Sequence, residues 1–233
     1  MKVSIIIPCY NQAHFLHESI QSALAQTHPD IEVIVVNDGS PDDTSRVVIQ
    51  MIESVKNNIT IILIEKPNGG LSSARNAGIA AATGTYILPL DADDKIHPDF
   101  ITRTIGLDDI VSTGLHTFGR ESRAWITDVD HPEYQHFIQR NHINCCSLFK
   151  KEMWTAIGGY DEQMRDGFED WDFWTRATRA GYTVTVVREI LFYYRKHSVS
   201  MFADAQRMRS EIIEYMHRKY SPSGRLIDVV YVL

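Results

Sequence analysis

Asp91-Ala92-Asp93-Asp94 places three carboxylates within four residues. Like charges this close repel one another unless a cation or solvent compensates them. Hard oxygen ligands of this kind suit Mg²⁺ or Mn²⁺, ions that commonly join a protein carboxylate to the phosphates of a substrate. A solvated acidic turn gives the same four residues, so the reading depends on where the turn falls. A second acidic pair, Glu169-Asp170, stands ahead of Trp171 and Trp174. One of its carboxylates can accept the proton of a hydroxyl nucleophile, although acids at the start of a helix are also favoured by the helix dipole alone. Arg75 offers a planar cation to an anionic or hydroxyl-rich ligand, or is simply an exposed helical arginine.

The elements that must position these groups alternate. Residues 3–7 read as a buried strand, and Phe15, Leu16, Ile20, Ala23 and Leu24 then recur at helical spacing over 12–26. Further strands are predicted at 31–36, 59–64 and 86–90. One helix starts from Ser40-Pro41-Asp42-Asp43, which supplies a cap serine, a proline at the first helical position and first-turn acids. Another covers 71–82 and stops at Gly84. Such alternation implies a mostly parallel sheet covered on both faces, whose ligands lie beyond the carboxyl ends of the strands. The segments there are Pro8-Cys9-Tyr10-Asn11, Asn37-Asp38-Gly39-Ser40, Pro67-Asn68-Gly69-Gly70 and Asp91-Ala92-Asp93-Asp94.

The second half is less regular. Residues 108–136 read as mostly loop and short strand, 170–180 as a helix ended by Gly181, 182–187 as a strand and 203–219 as an amphipathic helix. Trp171 and Trp174, three apart, mark either a sugar-stacking face or a buried one, with burial favoured for Trp174. Trp125 and Trp154 carry the same two readings, and Cys145-Cys146 reads as packing.

With 23 Lys and Arg against 30 Asp and Glu in 233 residues, the formal charge of −7 leaves no cation surplus for a nucleic-acid backbone. A small anionic ligand stays compatible with that charge, because a metal ion supplies positive charge locally. The three cysteines show no disulfide or zinc spacing, and the leading apolar run is too short for a signal sequence or a membrane span. The expected location is cytoplasmic. Asn58-Ile59-Thr60 matches a glycosylation sequon and is expected as a turn before a strand. Towards the end, Arg207, Arg209, Arg218 and Lys219 accompany Met208, Ile212 and Met216, a pattern compatible with peripheral contact to an anionic membrane. Asp204, Glu211 and Glu214 dilute that charge and favour packing on the domain or a homodimer contact. The tail at 226–233 is apolar.

Ser4-Ile5-Ile6-Ile7-Pro8-Cys9-Tyr10-Asn11, Asn37-Asp38-Gly39-Ser40, Ala74-Arg75-Asn76-Ala77-Gly78 and Leu90-Asp91-Ala92-Asp93-Asp94, followed by Gly167-Phe168-Glu169-Asp170, stand in the order and spacing of the inverting family 2 glycosyltransferases. The sequence resembles that family over about residues 1 to 200, and five ordered motifs are far more specific than any one alone. The resemblance implies an α/β GT-A fold, Rossmann-like, with a mostly parallel central sheet flanked by helices and a smaller acceptor-side region. The chain is then expected as a single domain: a nucleotide-sugar-binding half at 1–95, an acceptor-binding and catalytic half at 96–200, and a C-terminal helix and tail at 201–233.

The same resemblance assigns roles. Pro8, Tyr10 and Asn11 cradle the nucleoside, and Asp38 bonds the uracil edge or, on its own chemistry, shapes the loop as an Asx-turn. Arg75 and Asn76 approach the donor. Asp91 and Ala92 sit at the donor sugar or ribose, and Asp93 holds Mn²⁺ or Mg²⁺. Asp94 caps the turn or holds a water, and His197 is a further metal or diphosphate contact. Asp170 is the base, with Glu169 beside it orienting the loop or meeting the acceptor. The implied activity is hexosyl or N-acetylhexosaminyl transfer from a nucleotide-sugar, UDP-linked, to a hydroxyl of a glycan, lipid-linked or other acceptor. Two rivals stand beside it. A catalytically silent sugar-nucleotide-binding or assembly subunit would keep the fold without turnover. A sugar nucleotidyltransferase would want a glycine-rich basic loop after the first strand, where Pro8-Cys9-Tyr10-Asn11 stands instead.

Overall fold

The computed structural model describes residues 1–55, 59–165, 167–197 and 209–220. In chain order the elements are β1 (Val3–Cys9), α1 (Ala13–Leu24), β2 (Ile31–Asn37), α2 (Thr44–Ser54), β3 (Thr60–Glu65), α3 (Leu71–Ala81), β4 (Tyr86–Pro89) and β5 (Lys95–Ile96). The second half adds α4 (Phe100–Thr104), β6 (Ile110–Gly119), β7 (Ala124–Trp125), α5 (Tyr134–Phe137), β8 (Leu148–Lys150), α6 (Lys151–Ile157), α7 (Glu169–Arg179), β9 (Val184–Lys196) and α8 (Arg209–Tyr220).

One nine-stranded sheet runs in the order β3-β2-β1-β4-β8-β6-β9-β5, with β7 paired to β6. β1 and β2 are buried along their whole length, as apolar runs covered on both faces must be. The pairs β1–β2, β2–β3 and β1–β4 are parallel. The chain winds outward from β1 to β3 and then returns to β4 on the other side of β1. A crevice therefore opens over the ends of β1 and β4, where the connections diverge. Beyond β4 the sheet turns mixed: β4–β8 and β8–β6 are antiparallel, β6–β9 is parallel.

At the opposite end of the first strands lies Glu32, 2% exposed. Its carboxylate accepts hydrogen bonds from Ser4 Oγ (2.6 Å) and Thr83 N (2.7 Å) and pairs with Lys2 Nζ (2.7 Å). Burial alone would raise this carboxyl, but the bonds from Lys2, Ser4 and Thr83 outweigh it and hold the group at about 2.

Three sequence expectations are corrected. α2 starts at Thr44, not Ser40. The Ser40 hydroxyl is taken by the neighbouring loop, accepting from Asn11 N (3.1 Å) and donating to Cys9 O (3.3 Å), while Asp42 Oδ1 accepts from Thr44 N and Thr44 Oγ1. Residues 110–119, expected as loop and short strand, form the ten-residue strand β6. Its alternation was masked because it is covered on both faces and buries polar residues, with Ser112 Oγ accepting from Ser147 Oγ and Thr113 Oγ1 donating to Gly114 O. β9 runs on to Lys196, past the expected end at 187, through a register shift opposite Gly114. A Cβ at Gly114 would lie 2.7 Å from Ile126 and 3.1 Å from Glu189 O, so the bulge requires glycine.

The described part of the C-terminal helix, α8, packs on the domain. Ile213 and Met216 are buried, Tyr215 Oη donates to Asp161, and Lys219 Nζ lies 2.7 Å from both Asp161 and Asp172. That face is not presented to a lipid surface. Asn58, Asp204, Arg207, Met208 and the apolar tail at 226–233, with the side chains of Arg209 and Ile212, lie outside the described residues. Among those described, no helix is long and apolar enough to cross a membrane.

Candidate functional site

The crevice floor starts with the first two strand ends. Pro8 is buried, Tyr10 is 52% exposed, and Asn11 takes a left-handed backbone with φ 55°, a conformation asparagine tolerates better than most residues. Asn37 Oδ1 accepts from Ser40 N (2.8 Å), which folds the loop back on itself. Asp38, 2% exposed, accepts from Gly69 N (3.0 Å), Gly70 N (2.8 Å) and Lys66 Nζ (2.6 Å). The structure thus commits Asp38 to the N-terminal turn of α3, and its oxygens are turned to backbone amides and a lysine, away from solvent. The Asx-turn does not describe this arrangement, because the carboxylate reaches across to the 66–70 segment.

The acidic turn follows β4. Asp94 N donates to Asp91 O (3.1 Å), closing a β-turn. Ala92 is buried in the core. Asp94 is fully buried, and its Oδ1 accepts from Arg195 N at 2.7 Å while Oδ2 has no partner. Asp94 therefore ties the turn to the end of β9. Arg195 Nε adds a bond to Asp93 O (2.8 Å), and its guanidinium lies 4.4 Å from the ring centres of both Phe15 and Phe118. These contacts deliver His197, whose Nε2 lies 2.6 Å from Asp93 Oδ2. Burial, then the charge of Asp91, raises the Asp93 carboxyl, and the bond with His197 offsets part of that rise.

Arg75 joins this turn to the second half. It is 1% exposed, and its two terminal nitrogens donate to Asp91 Oδ1 (2.8 Å) and Glu169 Oε1 (2.5 Å). The guanidinium lies 5.4 Å from the Tyr160 ring centre. It is not the exposed helical arginine that sequence alone also allowed. Asn76, expected at the donor, is directed instead at the α6–α7 loop: its Oδ1 accepts from Trp154 Nε1 and Tyr160 N, and its Nδ2 donates to Tyr160 O and Glu162. Trp154 is thereby a clamp on α3.

α7 opens after Gly167 (φ 108°) and Phe168 (φ 60°). A bulky residue held there costs about 1–3 kcal/mol, and the bend sets Glu169 and Asp170 in the first helical turn. Asp170 Oδ1 accepts from Trp171 N (2.8 Å) and Oδ2 from Asn141 Nδ2 (2.9 Å). Burial, then the charge of Glu169, pushes Asp170 up to about 7, with Arg75 acting in the opposite direction. Trp174 is fully buried, and Trp171 is 5% exposed with Nε1 donating to Phe137 O (2.6 Å), so both belong to packing.

Asn141 and Cys145 were not identified from sequence. Asn141 lies 29 residues before its partner Asp170 in no recognisable motif. Cys145, read as packing, has its Sγ 3.7 Å from Asp91 Oδ2. Only the tertiary fold brings either to the acids.

Among the described residues, no group of three or more His, Cys, Asp or Glu side chains encloses an ion. The donors still fit a divalent ion that is completed by ligand oxygens and water. A half-buried carboxylate oxygen and an imidazole nitrogen adjoin at Asp93 and His197, and the acids around them are only partly neutralised by Arg75 and Arg195.

A family model described as glycosyl transferase family 2 matches residues 4–153, and one described as N-terminal domain of galactosyltransferase matches 125–202. An uncharacterized glycosyltransferase of Bacillus subtilis (strain 168), EpsJ, is 33% identical over 218 residues, covering 85% of this chain and 62% of that protein. The chain thus spans about three-fifths of that curated relative. Among solved structures, S. aureus TarS in complex with UDP-GlcNAc superposes with a TM-score of 0.71 at 20% identity, over 95% of this chain and 68% of that one. The mannosyltransferase PcManGT from Pyrobaculum calidifontis, in complex with GDP-Man and Mn²⁺, gives 0.69 at 20% identity over 97% and 65%. At these identities the likeness is one of fold.

Proposed function

The chain belongs to glycosyltransferase family 2 and has the GT-A fold, and we propose that it transfers a sugar from a nucleoside diphosphate donor to an acceptor hydroxyl with inversion at the anomeric carbon. The observation that carries this reading is the buried Arg75 bridge, which fixes the acidic turn after β4 against the Glu169-Asp170 pair of α7. One side of the crevice can then hold a sugar nucleotide while the other holds a base.

In this reading Asp170 accepts the proton of the acceptor hydroxyl as its oxygen attacks the anomeric carbon. The bond to the diphosphate breaks on the opposite face, so one displacement inverts the centre. A carboxyl poised at about 7 suits that task better than an ordinary aspartate, because it holds the proton it takes. Arg75 neutralises Asp91 and Glu169, which keeps Asp91 fixed for a donor hydroxyl. Glu169 is the anchor of the helix start. Asp93, with His197 beside it, would hold Mn²⁺ or Mg²⁺, which supplies positive charge against the departing diphosphate. Tyr10 and the amides after β1 and β2 border the nucleoside. Asp38 acts on the nucleotide through the α3 turn that it holds, and Asn76 keeps α3 and α7 in register.

UDP is the proposed nucleotide on the strength of the Asn37-Asp38 motif and of the UDP-GlcNAc complex of TarS; the GDP-Man complex of PcManGT makes GDP the control. The test is thermal shift and calorimetry with UDP and GDP, with and without Mn²⁺, followed by nucleoside diphosphate release from the matching sugars. A Mn²⁺-dependent response to UDP, with slow release from a UDP-sugar, is expected. No response to either nucleotide overturns the donor-site reading.

A further inference from the structure

Beyond Asp170 lies a cavity of about 360 Å³, bordered by Trp125, Thr127, Asp128, Arg140, Asn141 and His142. Such a volume falls at the lower end of small-molecule sites, about 300–1,000 Å³. We propose that this cavity seats the terminal sugar of the acceptor, an uncharged pyranose ring lying against Trp125, and that Asn141 marks the point where its hydroxyl meets the base. The proposal rests on the transfer reaction above and assigns the acceptor side of that same site.

Three observations carry it. First, Asn141 borders the cavity and donates to Asp170 Oδ2 at 2.9 Å, so one wall residue joins the cavity to the carboxylate proposed to receive the acceptor proton. Second, Trp125 is left 40% exposed in the cavity wall. An indole face complements the C–H face of a pyranose, and its burial by a ligand recovers apolar area that folding leaves in water. Third, the lining carries one cation and one anion, and these are paired with each other. Arg140 Nη2 donates to both Asp128 oxygens, at 2.8 and 3.1 Å. Asp128 already neutralises Arg140, so a carboxylated or phosphorylated sugar meets no net positive charge there, whereas hydroxyls can bond the pair as it stands.

His142 supports the same polarity. It is 4% exposed, with Nε2 at 3.4 Å from Arg140 Nε and Nδ1 at 3.4 Å from Thr127 Oγ1. Arg140 Nε can only donate, so Nε2 accepts and the ring proton sits on Nδ1, directed at Thr127. Burial, then the neighbouring Arg140 charge, depresses His142 to about 4. The imidazole is therefore neutral at physiological pH and adds no charge to the paired Arg140 and Asp128.

The test uses the full chain with its UDP-sugar donor and Mn²⁺, and nitrophenyl glycosides of neutral hexoses and N-acetylhexosamines as acceptor probes, with a nitrophenyl glucuronide as the charged control. Transfer to at least one neutral probe is expected. Trp125→Ala should raise that probe's KM about tenfold and leave the acceptor-free release of UDP unchanged, while Trp125→Phe, which keeps an aromatic face, should stay within about threefold of wild type. An unchanged KM in Trp125→Ala, equal use of the glucuronide, or no neutral probe accepted while UDP release persists, overturns the acceptor assignment. Absence of UDP release from the wild-type chain overturns instead the transfer reading on which it depends.

Discussion

Two acids of the first half of the molecule, Asp38 and Glu32, are surrounded by donors. Asp38 accepts two backbone amides and a lysine, and Glu32 takes bonds from Ser4, Thr83 and Lys2. In the second half Asp170 receives one amide and one asparagine, and it is withdrawn from water beside a second acid. The contrast separates two uses of the same functional group. A carboxylate ringed by donors serves as a fastener, and Glu32 is held charged by them. One short of donors is held near its proton, which suits the acid–base role proposed for Asp170.

The sharpest way to break that contrast is Asp170→Asn. Turnover should fall by about 10²–10⁴, with nucleotide affinity within twofold of wild type by calorimetry; near-normal turnover would remove Asp170 from the base role. Next, Arg75→Met leaves the buried Glu169 and the half-buried Asp91 without their cation, which should cost about 3–5 kcal/mol in urea unfolding. Arg75→Lys should recover little, since one ammonium cannot span both acids; full recovery would show that charge alone suffices.

Glu32 supplies a smaller effect. Its folded carboxyl is held at about 2, below the ordinary value of 4.5, so its contribution is fully present above pH 4.5 and is lost as pH falls towards 2. Glu32→Gln should cost about 2–3 kcal/mol at pH 7 and nearly nothing at pH 2, without altering donor turnover. Asp170 has the opposite sign. Its folded carboxyl is raised from 3.8 to about 7, so stability falls as pH rises from about 4 to 7 and the whole loss is present above 7; Asp170→Asn should be more stable than wild type at pH 8, by about 1–2 kcal/mol. Equal stability at that pH would mean the carboxylate is better solvated than its surroundings indicate.

The finest test is the pH profile. The acidic limb of kcat/KM should lie near pH 7, and Asn141→Ala, which removes a donor to the charged form, should move it upward by about half a unit to one unit. A limb that does not move would reduce Asn141 to packing.

The first half was legible because strand ends, turn residues and helix starts are local. The run at 31–36, the loop at Asn37-Asp38-Gly39-Ser40 and the acidic turn all fall where the sequence puts them. Even there the start of α2 was misplaced, because Ser40 was bonded to a segment 29 residues away. The second half resisted for the same reason on a larger scale. β6 buries Ser112 against Ser147 and Thr113 against the backbone of Gly114, which erases the apolar alternation that signals a strand. Asn76 and Asn141 each carry polar contacts that only folding assembles, so the motif suggested a donor contact for the first and nothing for the second.

The long parallel pair of β6 with β9 has a kinetic corollary. Ser4 and Glu32, which fasten β1 to β2, are 28 residues apart in the chain, whereas Asp109 and Thr183, beside the start of the β6–β9 pair, are 74 apart. Loop closure of that length is slow to be repaid by contacts. A chain emerging from the ribosome can therefore complete its first strands early, while the sheet edge at β6 waits for residues 184–196. During that interval the edge is open to other chains, so yield in heterologous expression should depend on how quickly the last strand arrives.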